Sequence, residues 1–455
     1  MATGDNGNAT AVEAASERRA SFRISDPTKQ AFFWLSGFFV VYCARPEDWI
    51  PAIGYLPLAK ITATLALWGL FSSMGNTKRT MKDLPKEARL LLTMLLLLYL
   101  GAFLSPVWKG GAISRTIDFS KIYIAWVLIF LLITTFDRLR QIIFIQTFCV
   151  VTVCAIALVK GHNTPRLEGV INGIYANPND LAFAIVLSLP FSLAFMLTAK
   201  NAIKKVFWFG GMLIMLVALF ETASRAGFID LVICGSFTLY LFAIKGKRMY
   251  LLVATAFLSV LIGASVGGKL YDRFEALSGD SVGEQSAVGS FEQRKFLMMR
   301  ALDAIEQYPL FGVGVQNFIA YSGEWREVHM TYLQVCAEGG IPVFIIYVMI
   351  FRRGFQNLKL LRKRTDLDPD IVLFVGALTS SLVGFGVGAL FAPETYQYFP
   401  YFFVAFAATL MQTIKEQDQE QEKGPGPASP APKKAHHFLE VYADRGRTSA
   451  VTPVR

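Results

Sequence analysis

Charge and histidine are both scarce in this chain. Of its 455 residues 17% are Asp, Glu, Lys or Arg and only four are His, against 54% hydrophobic residues. The mean hydropathy is +0.44. That balance excludes an ordinary soluble enzyme, in which about 25% of residues are charged. The five cysteines, Cys43, Cys149, Cys154, Cys234 and Cys336, lie in or beside apolar runs. Their odd number and spacing exclude a disulfide framework and a zinc site, so they read as small buried hydrophobes. Residues 1–30 lack the apolar core and cleavage site of a removable signal peptide. No paired-aspartate motif or similar carboxylate cluster of the metal-binding kind occurs in the connections expected on the outer side, so no metal and no cofactor is inferred.

Long apolar runs are what the chain has in quantity. They fall near 31–44, 56–74, 90–105, 119–135, 141–159, 180–198, 205–221, 226–243, 249–267, 332–351, 371–391 and 397–414. Runs of roughly 15 to 22 residues match the hydrocarbon thickness of a bilayer as helix, so the expectation is an all-α integral membrane protein with about 12 transmembrane helices. Lys and Arg test the segmentation independently, because they collect in cytoplasmic loops. They cluster at 78–89, 138–140, 200–205, 245–248 and 352–364, each cluster two spans from the last. Both termini are therefore expected in the cytoplasm, and the net charge of +10 reads as an orientation signal with contact to membrane lipids, not as nucleic-acid binding.

This divides the chain into a cytoplasmic N-terminal tail at 1–30, a membrane domain at 31–414 and a Pro-, Gly- and Gln-biased tail at 415–455, expected to be disordered. His436 and His437 in that tail read as solvated residues. The outer face receives 45–55, 106–118, 160–179, 222–225, 268–331 and 392–396. Among these the connection 268–331, before the tenth span, stands out at about 60 residues, a length that signals function in a protein of short loops.

Within it, "SFEQRKFLMMRALDAIEQYPLFG" predicts an amphipathic helix with Leu297, Met298, Ala301, Leu302 and Ile305 on its apolar stripe and Pro309 ending it. Arg294 heads that stripe. A cation there needs a partner, either a ligand anion or a structural one such as a headgroup. Arg225 in "ETASRAGFID" sits where the eighth span enters, in a turn short enough to be stiff, which is what an anion clamp requires; interfacial anchoring is the other reading. Arg115, Arg166, Lys60 and Lys121 on the same side read as looser candidates. In "EWREVHMTYLQ" His329 lies beside a charged cluster just before a span. The positive end of that helix disfavours imidazolium, leaving a neutral ring that can accept a proton; a histidine bonding the loop backbone is the alternative. Two guanidinium groups and a neutral base form a minimum set for displacing a phosphate leaving group.

Other motifs are subordinate. "FGVGVQNF" lacks the strand-then-helix setting of a nucleotide loop, so Gly312 and Gly314 read as turn and close-packing glycines. "YANPNDLAFAI" supplies a helix cap before the sixth span, with Asp180 as its expected N-cap. Asn179, Asp180 and Arg166 are candidate supporting residues for the site.

"NPNDLAFAIVLSLPF", "ETASRAG", the run from "RKFLMMRALDAIEQYPLFGVGVQNF" to "HMTYLQVCAEGGIPVF", and "YCARPEDWIP" near the start together resemble the bacterial O-antigen ligase family, which shares its domain with O-antigen polymerases and some protein O-oligosaccharyltransferases. The likeness spans roughly 31–414. It implies an inner-membrane glycosyltransferase that moves a glycan from an undecaprenyl-diphosphate carrier to a hydroxyl on the periplasmic side, in the ligases a sugar of the lipid A core. By motif, Arg225 matches the arginine of the family's "SRG" element and Arg294 the arginine of the helix before "PLxGvGxGNF"; both would grip the diphosphate. His329 matches the histidine of "HNxxL" and would act as general base in an inverting displacement that needs no metal. Here Met330 replaces the asparagine of that element, and "SRAG" replaces "SRG". A repeat-unit polymerase would use the same residues. A secondary transporter or lipid flippase is the rival of a different class; no repeat between halves supports it.

Overall fold

The computed structural model describes residues 26–160, 166–168, 175, 177–266 and 282–422. Most of both expected tails, with His436 and His437, and residues 267–281 of the long connection lie outside the described residues; residues 415–422, expected within a disordered tail, are helical. The chain divides into two units, 1–413 and 414–455. The described part of the second, residues 414–422, is the C-terminal stretch of the last helix.

The described residues are helical, without a strand. In chain order the long helices are α1 (Lys29–Ala44), α2 (Leu58–Ser72), α3 (Lys86–Leu104), α4 (Lys109–Leu132), α5 (Phe136–Lys160), α6 (Pro178–Thr198), α7 (Ala202–Glu221), α8 (Arg225–Leu239), α9 (Tyr250–Val266), α10 (Val282–Gln307), α11 (Thr331–Lys363), α12 (Pro369–Gly388) and α13 (Tyr398–Glu422). Each of the twelve apolar segments falls on one of these, and α10 is the amphipathic helix of the long connection. A bilayer core offers the backbone no water, so such segments satisfy their N–H and C=O groups internally as helices. Among the described residues seven helices are long and apolar enough to cross a membrane by length and composition: α3, α5, α6, α7, α8 with its continuation to Lys245, α11 and α12. The chain is a multi-pass helical membrane protein.

Small residues let these helices approach closely. A Cβ on Gly69 would lie 2.9 Å from the Ala31 backbone, one on Gly227 2.6 Å from the Ala182 side chain, and one on Gly388 1.9 Å from the Phe183 ring. The Lys- and Arg-rich connections gather at one end of the bundle, where buried Arg79 donates to the Phe130 and Ile133 carbonyls and to Thr413, and Arg140 reaches Asp370 and Thr198. Arg225 and His329 lie at the opposite ends of the same helices.

The stripe of α10 is narrower than its sequence suggests. Leu297, Ala301 and Ala304 are buried against Val313, Phe318, Val328 and Ala337, whereas Met298 and Leu302 are 43% and 48% exposed. Successive turns at 100° per residue place 297, 301, 304 and 308 in line, and Arg294 lies on that line.

The helix α11 is broken at Gly340 (φ 82°, ψ 170°), two residues before Pro342. The break frees two carbonyls. Ile341, the helical donor for Ala337, turns to the Pro309 carbonyl instead (2.8 Å), and Pro342 has no N–H to offer Glu338. The loop after α10 fills both vacancies: Val313 N–H donates to Ala337 (2.9 Å) and Gly314 N–H to Glu338 (3.0 Å). Asn317 braces the loop by donating to Ser105 Oγ (2.8 Å) and to the Trp108 carbonyl (3.0 Å), and Ser105 donates to the Val313 carbonyl (2.6 Å). Gly312 and Gly314 are turn and close-packing glycines: both have positive φ, and a Cβ on Gly312 would stand 2.4 Å from the Glu338 carbonyl carbon.

Gly323 shares the left-handed backbone (φ 80°) but has open space around it. Gly323→Ala should cost about 1 kcal/mol, the backbone penalty alone. Gly312→Ala should cost more than about 3 kcal/mol, since backbone must move as well. Melting of the two purified variants in one detergent measures the difference; equal midpoints would contradict the docking account.

Candidate functional site

Arg225 is the first residue of α8. Its position is fixed by a network around the turn that precedes it. Arg166 donates from Nε to the Thr222 carbonyl (2.9 Å) and from a terminal guanidinium nitrogen to Asn179 Oδ1 (3.1 Å). Ser224 Oγ donates to the same Asn179 oxygen (2.8 Å) and accepts from Gly227 N–H (3.1 Å) as N-cap of α8. Ala223 is held at φ 47°, a left-handed conformation that a side chain tolerates only under such constraint. Arg166 is thus a brace of the turn and not a loose anchor, and Asn179 joins α6 to it. The expected N-cap at Asp180 is corrected: Asn177 caps α6, its side chain accepting from Asn179 N–H (2.9 Å). Pro178 at the next position needs no donor, which leaves that role to the asparagine before it.

His329 is fixed from the other side. Thr331, at the start of α11, donates from Oγ1 to the Ala392 carbonyl (2.6 Å) and accepts from Glu394 N–H (2.9 Å), while its own N–H donates to the Ala389 carbonyl (2.8 Å). The segment leading to His329 is tied to α10: Arg326 donates to Gln293 Oε1 (2.5 Å), and Arg300 donates to the Tyr321 carbonyl (3.0 Å) with its guanidinium 4.8 Å above the Tyr321 ring.

These two frames meet at Arg294. Desolvation, and next the positive charge of Arg225, push the Arg294 guanidinium below its usual range. Desolvation, and then Arg294 and Arg326, push His329 below the ordinary imidazole value. The three candidate residues therefore share one electrostatic neighbourhood. Neutral His329 follows from burial and two cations; the helix end invoked from sequence is not among the causes. Among the described residues neither Arg225 nor Arg294 has a carboxylate partner.

Of the carboxyl groups around this set, sequence reasoning named Asp180 and missed Glu327 and Glu394. Glu327 is raised by burial, with Arg115 opposing, and Glu394 is raised far by burial and then by Asp180 and Glu327. Glu327 and Glu394 are 67 positions apart and 147 or more from Asp180, so no local pattern marks those two. Repulsion among them favours protonated forms able to donate hydrogen bonds. Among the described residues no group of three His, Cys, Asp or Glu is disposed to hold a metal ion. Lys60 and Lys121 are exposed, and Lys121 pairs with Asp118, three residues before it (2.5 Å).

Residues 210–348 match the family model described as O-Antigen ligase. That span holds Arg225, Arg294 and His329, and it bears out the family resemblance. No curated protein matches the chain. A solved structure described as "Structural coordination of polymerization and crosslinking by a peptidoglycan synthase complex" is similar at 12% identity with a TM-score of 0.39, covering 72% of this chain and 97% of that one; the likeness is too low to carry an argument.

The depressed affinity of His329 for protons has a direct readout. With His162, His436 and His437 replaced by glutamine, acylation by diethylpyrocarbonate reports the neutral ring of His329, and its half-maximal rate should fall below about pH 6.5. Arg294→Gln removes a repelling cation, favours imidazolium and should move that midpoint upward; a midpoint unmoved or lowered would contradict the proximity. Thr331→Val leaves the Ala392 carbonyl and the Glu394 N–H without partners in a buried place, each costing about 1–3 kcal/mol. Its melting midpoint should drop by several degrees.

Proposed function

We propose that the chain is an inner-membrane glycosyltransferase of the O-antigen ligase type, moving a glycan from an undecaprenyl-diphosphate carrier to an acceptor hydroxyl on the periplasmic side, in this reading a sugar of the lipid A core. The observation that carries the reading is the meeting of two guanidinium groups with a neutral imidazole. Two like charges held together and partly desolvated are unfavourable alone, and an anion bridging them relieves both terms. A diphosphate fits that demand, since each guanidinium fork matches a pair of phosphate oxygens.

The reaction follows from the same placement. The acceptor oxygen attacks the anomeric carbon as the bond from that carbon to the phosphate oxygen breaks, opposite the attack, so the centre inverts. The hydroxyl proton passes to His329, and the charge appearing on the diphosphate is met by Arg225 and Arg294, already oriented. The scheme asks for no metal and no nucleotide sugar, because the carrier is itself the activated leaving group. In this reading all twelve apolar helices span, both termini are cytoplasmic and the 268–331 connection faces the periplasm, as the segregation of Lys and Arg at the end away from His329 supports.

His329→Ala should lower the rate of transfer by 10²–10⁴-fold, the usual worth of a general base. Arg225→Lys and Arg294→Lys keep the charge but lose the fork, and each should weaken use of the lipid-linked donor. The assay is transfer from an undecaprenyl-diphosphate glycan in proteoliposomes. A His329→Ala variant with the parental rate would remove the base from the scheme. The product tells ligation from its relatives: a capped lipid A core is the expected one, whereas longer carrier-linked chains mark a polymerase, modified protein an oligosaccharyltransferase, and flux without a covalent product a transporter.

A further inference from the structure

At the end of the bundle away from Arg225, two cavities open side by side between the C-terminal ends of α8 and α11 and the start of α12. One, of about 440 Å³, is lined by Lys245, Arg248 and Arg362 over Phe242 and Leu373. Its neighbour, of about 420 Å³, shares Lys245 and Arg362 and adds Lys359 and Lys363 over Phe237 and Phe355. No Asp or Glu lines either. Arg364 also lines the larger cavity and pairs with Asp366; of the other acidic residues nearby, Asp370 pairs with Arg140 and Asp368 accepts from the Asp370 N–H as the cap of α12. Among the described residues Lys245, Arg248, Lys359, Arg362 and Lys363 have no carboxylate partner.

The backbone is shaped for the gap. Residues Tyr240–Lys245 form a π-helical turn that continues α8, a widened geometry frequent at functional sites. The chain then turns back at Gly246, with Lys247 at φ 54° and the Arg248 guanidinium folded against the turn, 2.8 Å from where a Gly246 Cβ would stand. Tyr240, Ile244, Met249 and Tyr250 beside the opening are 41–60% exposed, an apolar surface flanking the charges.

We propose that these joined cavities bind an anionic phospholipid, its phosphodiester among Lys245, Arg248 and Arg362 and an acyl chain along the floor of Phe237 and Phe355. Three features select a lipid over a soluble anion. The cations ring the ends of membrane helices, at the depth where headgroups lie. The walls below them are aromatic and aliphatic, which a nucleotide or sugar phosphate does not need. The surface beside the opening is itself apolar and exposed. The inference requires only that the protein sit in a membrane, and it stands or falls apart from the transferase reading.

The test uses the full chain in dodecyl maltoside, offered equal amounts of phosphatidylglycerol and phosphatidylcholine with the same acyl chains and examined by native mass spectrometry. Phosphatidylglycerol should be retained at least tenfold over phosphatidylcholine. Each Lys or Arg beside an anionic headgroup contributes about a factor of five, so Lys245→Gln with Arg362→Gln should weaken retention about 25-fold. Lys245→Arg with Arg362→Lys should retain it, as should Lys204→Gln with Lys205→Gln, which removes two charges at the same end outside the cavities. A parental ratio near one overturns the proposal without any variant. So does unchanged retention in the glutamine pair, or displacement of the lipid by equimolar inorganic phosphate, which would mark a site for free anions.

Discussion

Two carbonyl groups released by a broken helix organise the functional end of this protein. In α11 the chain leaves helical geometry at Gly340, and Pro342 removes the donor that Glu338 would otherwise use. A buried carbonyl without a donor is costly, and more so at membrane depth, where irregular backbone survives only when protein surrounds it. The N–H groups of Val313 and Gly314 supply what is missing. Because that loop follows α10 directly, satisfying two carbonyls on α11 also sets α10 against α11, and with them Arg294 beside His329. Gly312 and Gly340 are required there because neighbouring carbonyls occupy the space a Cβ would take.

Arg225 reaches the same place by a different route. Its turn is held by Arg166, Asn179 and Ser224 and strained at Ala223, with little freedom to swing aside. Two rigid mounts, one built on α6 to α8 and one on α10 and α11, thus press two cations toward each other. Flexible mounts would relax that repulsion by separating the guanidinium groups. In the proposed reading, rigidity keeps the unfavourable pair in place until an anion makes it favourable, as a preorganised site requires.

The reading from sequence succeeds where the signal is local and fails where it is not. Twelve apolar runs, an amphipathic helix ended by Pro309 and the glycines of "FGVGVQNF" are patterns within a few turns of chain; the runs fall on helices, seven of which are long and apolar enough to cross a membrane among the described residues, and the glycines take the turn. The buried stripe of α10 is narrower than the spacing predicts, because both Met298 and Ala304 fit a three-and-four rhythm and only packing against Val313 and Val328 chooses between them. The sequence points to the charged Asp180 as the cap before α6, whereas Asn177 is the residue with extended backbone and an oxygen in reach of Asn179 N–H. Thr331 and Glu394 were invisible. Their role arises from a contact 63 residues apart, and a threonine followed by an apolar run carries no mark of it.

Arginine partnering separates the two ends of the molecule in a way composition does not. Arg79 and Arg140 at one end, and Arg166 and Arg300 at the other, are each bound to carbonyls, hydroxyls, amides or carboxylates of the protein. Their charge is spent on structure, since each holds an acceptor of the protein that would lose its partner. Among the described residues Arg225 and Arg294 have neither kind of tie, yet Arg225 follows a turn held at Ala223 in left-handed backbone and Arg294 lies on a helix packed against Val313 and Ala337. Structure that immobilises a cation without neutralising it stabilises nothing by itself; the arrangement becomes favourable only with a ligand of opposite charge. The same reasoning, applied where Lys245 and Arg362 line a cavity without acids, is what distinguishes a second anion site from the ordinary basic fringe of a membrane protein.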